Sequence, residues 1–165
     1  MEVDLNKLEN MILYFAQSPS VRNLGITKLY KLLYFADVTS MRELGHSMSD
    51  SRYIKYEHGP VPRQGDPAVR SLKGDNHISV MRVRIHGMTL HAVKAVTKPN
   101  TSIFSKFELE ILQRIATSKG PMTAAQLSEE SYLEPAWTHA DMLCEMPTGL
   151  MYYGASEDQT ISDIA

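Results

Sequence analysis

KLYKLLYFAD (residues 28–37) and YEHGPVP (residues 56–62) are the stretches that decide the fold of this chain. A helix with the first composition is apolar on nearly all sides, so it has to be enclosed by other elements. In the second stretch, the Gly-Pro-x-Pro run at residues 59–62 is typical of a rigid turn. Together the two stretches predict a packed helical module that binds a partner, without a catalytic loop.

The helix around residues 28–37 is predicted to begin with Thr27 as its N-cap. It should end before Gly45, where glycine can take the left-handed conformation that terminates a helix. Its core stripe consists of Leu29, Leu32, Leu33 and Ala36. A second face consists of Tyr30, Tyr34, Asp37 and Met41. Two interpretations of this face stay open: a partner-binding strip, or the edge of the core with its hydroxyls in water.

Length and composition predict one domain, residues 1–165, with a core at about 5–142 and a tail at 145–165. The tail has little periodicity, so it either orders against a partner or is a frayed, loosely docked terminus. The single cysteine, Cys144, is expected to be a small buried residue in a reducing compartment. An acidic N-terminus and the lack of any run of eighteen apolar residues predict a soluble cytoplasmic protein.

The remaining pattern predicts an α+β fold, predominantly α-helical, with a small antiparallel sheet made of a short strand and a hairpin. A first helix is expected at residues 4–17, with Leu5, Leu8, Ile12 and Phe15 on its apolar stripe. A short strand follows at residues 52–56, and Asp66 opens a short helix that closes near Gly74. Two capping boxes, Ser105 with Glu108 and Thr123 with Gln126, open later helices, and Pro135 starts another.

The hairpin is predicted at residues 79–85 and 88–95, joined by a turn at His86 and Gly87. That turn would pair Ile85 with Met88, Val83 with Leu90 and Met81 with Ala92, which makes one side of the ribbon apolar. The other side carries Arg82, Arg84 and His91, which form either a basic recognition surface or an ordinary solubilising face.

Charge is divided unevenly along the chain: residues 1–105 carry a net +5 and residues 106–165 a net −7. The capped helices superficially resemble a helix-turn-helix. However, residues 106–141 contain three basic and six acidic side chains, whereas DNA binding needs lysine and arginine opposite the phosphates. The charge therefore argues against a nucleic-acid partner.

The two opening stretches resemble the Panacea-domain family of SocA-like and phage-associated GepA-like antitoxins. Its hallmark is a KLxKLLYFA-type helix followed by a short strand that ends in a GPV turn. The later AQLS (residues 125–128) and the Pro-x-Trp at residues 135–137 are similar to the family's C-terminal block. This resemblance covers residues 5–142.

The resemblance implies an antitoxin that binds a cognate protein toxin encoded beside it. One branch of the family instead delivers a toxin to an ATP-dependent protease, and a DNA-binding regulator is a further alternative. We expect the partner surface to consist of Lys31, Tyr34, Tyr56, His58, Gly59, Pro60, Val61 and Trp137.

Neither family activity requires chemistry by the domain, so we predict no catalytic residue, cofactor or metal site. The sequence contains no G-x-S-x-G elbow, phosphate-binding glycine loop or HExxH motif. His77, His86 and His91 surround the hairpin without the spacing of a zinc site. Glu57 and His58 could pair as acid and base, but as neighbouring strand residues they would point to opposite faces.

Overall fold

A computed structural model describes residues 2–155, which form an α+β structure that is mostly helical. Its α-helices are α1 Leu5–Gln17, α2 Ile26–Leu44, α3 Gly65–Gly74, α4 Lys106–Lys119, α5 Ala124–Tyr132 and α6 Pro135–Thr138. Its strands are β1 Tyr53–Tyr56, β2 Gly59–Pro62, β3 Ile78–Ile85 and β4 Met88–Ala95. Two 3-10 turns lie at Thr101–Ile103 and Thr148–Tyr152. This confirms the predicted fold class.

Helix α2 is the centre of the structure, and α1, α4, α5 and β2 pack around it. Its predicted core stripe is fully buried, as expected for a helix so apolar. The second face is buried as well: Tyr30, Tyr34, Asp37 and Met41 are each at most 4% exposed. Both interpretations of that face were therefore wrong, because neither a surface strip nor wet hydroxyls are compatible with this burial.

Helix α2 ends at Gly45, whose φ of 82° is the left-handed cap that the sequence predicts. Its beginning differs from the prediction, since the N-cap is Gly25 and not Thr27. Gly25 forms an antiparallel bridge with Ala92, and a Cβ on it would lie 2.3 Å from Cδ1 of Leu90. The close approach of the hairpin thus fixes where α2 starts.

The strands form two separate antiparallel pairs, β1 with β2 and β3 with β4. The run at residues 59–62 is strand β2, while the turn is made by Glu57 and His58. The predicted turn therefore lies two residues earlier in the chain than the Gly-Pro-x-Pro run, and the prediction was wrong about its position. Prolines are tolerated in β2 because each strand of a two-stranded pair has only one paired edge.

The β3–β4 hairpin has the predicted register, with Ile85 opposite Met88 and Met81 opposite Ala92. His86 and Gly87 both have positive φ, 50° and 79°, as a two-residue hairpin turn requires. The apolar side is only partly covered, since Met81 in the middle of β3 is 59% exposed and Met88 beside the turn is 73% exposed.

The sequence signals at helix starts are largely confirmed. Asp4 caps α1, and both predicted capping boxes are present at α4 and α5. Pro135 occupies the first turn of α6. Leu5 is an exception on the α1 stripe, because it is 48% exposed while the other three members are buried.

The segment after α6 packs against the body as far as Tyr153. Met146 and Met151 are buried, and Arg42 of α2 donates to the carbonyl oxygens of Met151 and Tyr153. The first half of the expected tail is thus docked, whereas residues 156–165 lie outside the described residues. Cys144 is exposed, so the prediction of a buried thiol was wrong. Within residues 2–155 no helix combines the length and apolarity needed to cross a bilayer.

Candidate functional site

The β1–β2 turn projects Tyr56, Glu57 and His58 into solvent. Its backbone is fixed from below by helix α5. The hydroxyl of Ser128 donates to the carbonyl oxygen of His58 over 2.6 Å, and the hydroxyl of Tyr132 donates to that of Glu57 over 2.9 Å. Tyr56 is 43% exposed, which is a large exposure for an aromatic ring on a fixed backbone. The turn is therefore a rigid platform for exposed side chains.

A cavity of about 450 Å³ separates this turn from the first turns of α2. Volumes of this size are typical of ligand pockets in proteins. Its polar lining includes Tyr30, Lys31, Tyr56, His58, Arg63 and Asp66. The two stretches that open the sequence analysis thus meet at the walls of one cavity.

Lys31 lies at the base of this cavity and is only 1% exposed. Its ammonium donates to the carbonyl oxygen of Pro60 over 3.0 Å. Burial lowers the pKa of Lys31 to about 8. The lysine side chain fits here because residue 59 has no side chain. A Cβ on Gly59 would lie only 2.1 Å from Cε of Lys31.

The wall on the α3 side is closed by a hydrogen bond between Tyr30 and Asp66, with the tyrosine hydroxyl as donor. Burial, and then the bond to Asp66, raises the pKa of Tyr30, so the hydroxyl stays protonated. Asp66 was predicted as the N-cap of α3, but Gln64 occupies that position and the carboxylate instead contacts α2.

Tyr34 was predicted as a partner contact, but its side chain is fully buried. Its hydroxyl donates over 3.1 Å to Glu134, which also accepts from Arg42 over 2.7 Å. Burial, followed by the charge of Glu134, raises the pKa of Tyr34 well above its usual range. Tyr34 therefore ties α2 to the start of α6, and it cannot contribute to a surface.

Trp137 is likewise interior, with 8% of its surface exposed. Its ring packs on that of Tyr132 at a centroid distance of 4.9 Å, and the ammonium of Lys55 lies 4.6 Å from its centroid. A cation at this distance is attracted by the indole face. Trp137 supports the platform from behind and does not form part of its surface.

The predicted partner-binding set is therefore divided by depth. Tyr56 and His58 are exposed, and Val61 is half-buried at the cavity wall. The other five are buried: Lys31, Tyr34, Gly59, Pro60 and Trp137. Of these five, Lys31 and Gly59 still line the cavity. The site that remains consists of an exposed turn and a cavity with a lysine at its base.

Sequence reasoning missed the two hydroxyls of α5 that hold the turn, Ser128 and Tyr132, as well as Arg63 on the cavity wall. Ser128 belonged to the AQLS run, although no spacing linked it to residue 58. The residues around a helical hydroxyl do not indicate which distant carbonyl oxygen it will bind.

The three side chains of the candidate basic surface, Arg82, Arg84 and His91, lie on one side of the β3–β4 hairpin. Arg82 lies opposite His91, and Arg84 lies two residue pairs closer to the turn on the same side. All three are exposed, and Arg84 also donates to the carbonyl oxygen of Gly87 over 3.0 Å. They lie on the β3–β4 hairpin and do not line the cavity.

The remaining candidates from the sequence are the histidines, as metal ligands, and the Glu57–His58 pair, as an acid and a base. His77 contacts the hydroxyl of Thr97 through Nδ1 at 2.9 Å. Across residues 2–155, no three histidine, cysteine, aspartate or glutamate side chains are grouped so as to hold a metal ion. Glu57 and His58 form the β1–β2 turn, so they are not the adjacent strand residues that the sequence suggested.

A family model described as "Antitoxin SocA-like, Panacea domain" matches residues 29–138, about two thirds of the chain. The match includes the first opening stretch from Leu29 onward, the whole of the second and the α5 hydroxyls that hold the turn. Comparisons with curated proteins and with solved structures gave no match.

Proposed function

The chain belongs to the Panacea-domain family of SocA-like antitoxins, and from this premise we propose that it neutralises a cognate protein toxin by binding it directly. The toxin would contact the exposed β1–β2 turn and the mouth of the cavity behind it. We take the toxin to be the product of the adjacent gene.

One observation carries this proposal. The two most characteristic stretches of the family-like sequence meet at a single surface, where Tyr56 and His58 are exposed above a cavity. Tyrosine is enriched among residues that dominate binding energy, because its ring contributes a large contact area. A turn already held by Ser128 and Tyr132 loses little conformational freedom on association, which favours affinity.

Membership of an antitoxin family suggests a role without catalysis, and a binding surface of this kind acts by covering its partner. Direct binding also differs from delivery to a protease in what it requires. Occlusion of a toxin needs the two proteins alone, whereas an adaptor needs the protease as well.

Co-expression tests the proposal. The adjacent gene product should arrest growth when expressed alone, and this chain should relieve the arrest in trans. A Tyr56→Ala, His58→Ala double variant should lose rescue and complex formation while keeping its circular dichroism spectrum. An Arg82→Ala, Arg84→Ala variant is the matched control, because it also removes two exposed side chains but lies on the other hairpin.

Rescue should persist in a strain that lacks the ATP-dependent protease, and the purified proteins should form a complex. Rescue that disappears in that strain would identify an adaptor instead. Failure of the wild-type chain to bind the adjacent gene product would refute the proposal.

A further inference from the structure

Among the lysines whose ammonium groups have partners in residues 2–155, Lys31 is the one with a single, neutral acceptor. Lys7 pairs with Glu108 and Lys119 with Glu130. The buried Lys28 donates to two carbonyl oxygens, those of Arg22 and Gly120, and Lys55 donates to those of Trp137 and Ala140. Lys31 has one acceptor, the carbonyl oxygen of Pro60, and no carboxylate of the described chain lies within 4.0 Å of it. Its charge is therefore not neutralised within this part of the protein.

A cation removed from water without a counter-ion is unfavourable, and an ammonium has three donors to satisfy. The lowered pKa of Lys31 reflects the same loss of hydration. An arriving carboxylate would gain a charge-assisted hydrogen bond to a group that has already lost most of its water. Lys31 thus gives the cavity a preference for an anion.

The other charges on the cavity wall have partners or remain in water. Asp66 accepts only from the neutral hydroxyl of Tyr30, but it is exposed, so water screens its charge, and Arg63 pairs with Glu145 over 2.8 Å. Glu57 and His58 are exposed. The uncompensated charge at the base of the cavity is consequently positive.

Building on the proposed function, we propose that the cavity takes a glutamate or aspartate side chain of the toxin, whose carboxylate becomes the counter-ion of Lys31. The toxin backbone would lie across the exposed turn, and one acidic side chain would enter the 450 Å³ space beside Gly59. The exposed turn would then supply contact area, and Lys31 would supply selectivity for an acid.

Lys31→Met keeps the unbranched stem and removes the charge. We expect this variant to bind the adjacent gene product at least tenfold more weakly in isothermal titration, without a fall in its own melting temperature. Lys28→Met is the matched control, since it removes a lysine that is also buried, at 3% exposed, but does not line the cavity. It should lower the melting temperature and leave the affinity within twofold.

A second experiment does not depend on the folding of any Lys31 variant. Each surface glutamate and aspartate of the toxin is changed to its amide and tested against the wild-type antitoxin. One such change should weaken binding at least tenfold, and it should have no further effect when combined with Lys31→Met. Absence of any such carboxylate would overturn the proposal.

The outcomes separate this inference from the proposed function. If Lys31→Met binds like the wild type while the Tyr56→Ala, His58→Ala variant does not, the function stands and the acid-binding cavity is refuted. If the wild type does not bind the toxin, both are refuted. If sodium glutamate binds at micromolar concentration and Lys31 has no effect on toxin affinity, the cavity is a small-molecule site.

Discussion

The hydroxyl of Tyr53 donates to the carboxylate of Asp37 over 2.7 Å, and both side chains are enclosed in the core. The same carboxylate accepts from the backbone N–H groups of Met48 and Ser49 and from the hydroxyls of Ser47 and Ser49. Burial raises the pKa of Asp37, while the hydrogen bonds from Ser49, Tyr53 and Ser47 lower it. Asp37 therefore fixes the loop from α2 to β1, and with it the position of the β1–β2 turn.

Asp37→Ala should be strongly destabilising. The change leaves two buried N–H groups and the Tyr53 hydroxyl without an acceptor, and each such group costs about 1–3 kcal/mol. We expect the free energy of unfolding, measured in urea, to fall by at least about 3 kcal/mol. Glu43→Ala on the same helix removes an exposed carboxylate that pairs with Arg114, and should cost less than about 1 kcal/mol. Equal losses for the two variants would contradict the role of Asp37.

The pH dependence of stability should report the state of Lys31. Its pKa is about 8 in the folded chain, against an ordinary 10.5, so the unfolded chain binds more protons between these values. As pH rises through that window, Lys31 therefore makes the free energy of unfolding larger, so the protein becomes more stable. Lys28 acts with the same sign, because burial lowers its pKa to about 8 as well.

Lys31→Met should therefore reduce the rise in unfolding free energy between pH 8 and 9.5 by about 1.5 kcal/mol. Measurements should stop near pH 9.5, since Tyr30, Tyr34 and Tyr53 have raised pKa values and oppose the trend once their unfolded forms ionise. Identical pH profiles for variant and wild type would show that Lys31 keeps its ordinary pKa.

Gly59→Ala should be more harmful than Gly87→Ala. Both glycines have positive φ, 117° and 79°, but only at Gly59 would the new methyl group meet neighbouring atoms, namely Cε of Lys31 and Oγ of Ser131. We expect losses of about 2–4 kcal/mol at Gly59 and about 1 kcal/mol at Gly87. The difference, read from urea unfolding, isolates the contact with Lys31 from the backbone strain. Comparable losses would mean that the lysine stem yields to the methyl group.

Met151→Ala tests whether the C-terminal segment contributes to stability. Met151 is 2% exposed, and truncating a buried methionine costs about 2–5 kcal/mol. Its neighbour Tyr152 is 42% exposed, so Tyr152→Ala should change stability by no more than about 0.5 kcal/mol. A neutral Met151→Ala would indicate that this segment packs without stabilising the body.

Features encoded by neighbouring residues could be predicted from the sequence. The end of α2 at Gly45, the capping box at Ser105 and the register around His86 each depend on a few adjacent positions. The beginning of α2 could not be predicted, because Gly25 is fixed by Ala92, far along the chain.

The sequence could predict which residues form the candidate site, but not how deeply each of them is buried. Tyr56 and His58 follow a short strand, and turn residues are usually exposed. The burial of Tyr34 depends on Glu134, one hundred residues away, and that of Lys31 on the missing Cβ of Gly59. Helical periodicity did separate the core stripe, but it could not show that a second layer covers the opposite face.

The two carbonyl groups that anchor the β1–β2 turn belong to the main chain, so the anchors do not depend on which amino acids occupy positions 57 and 58. Replacements there would alter what the loop presents while its course stays the same. A randomised library at these two positions would thus offer a way to retarget the scaffold, much as hypervariable loops diversify on an unchanged framework.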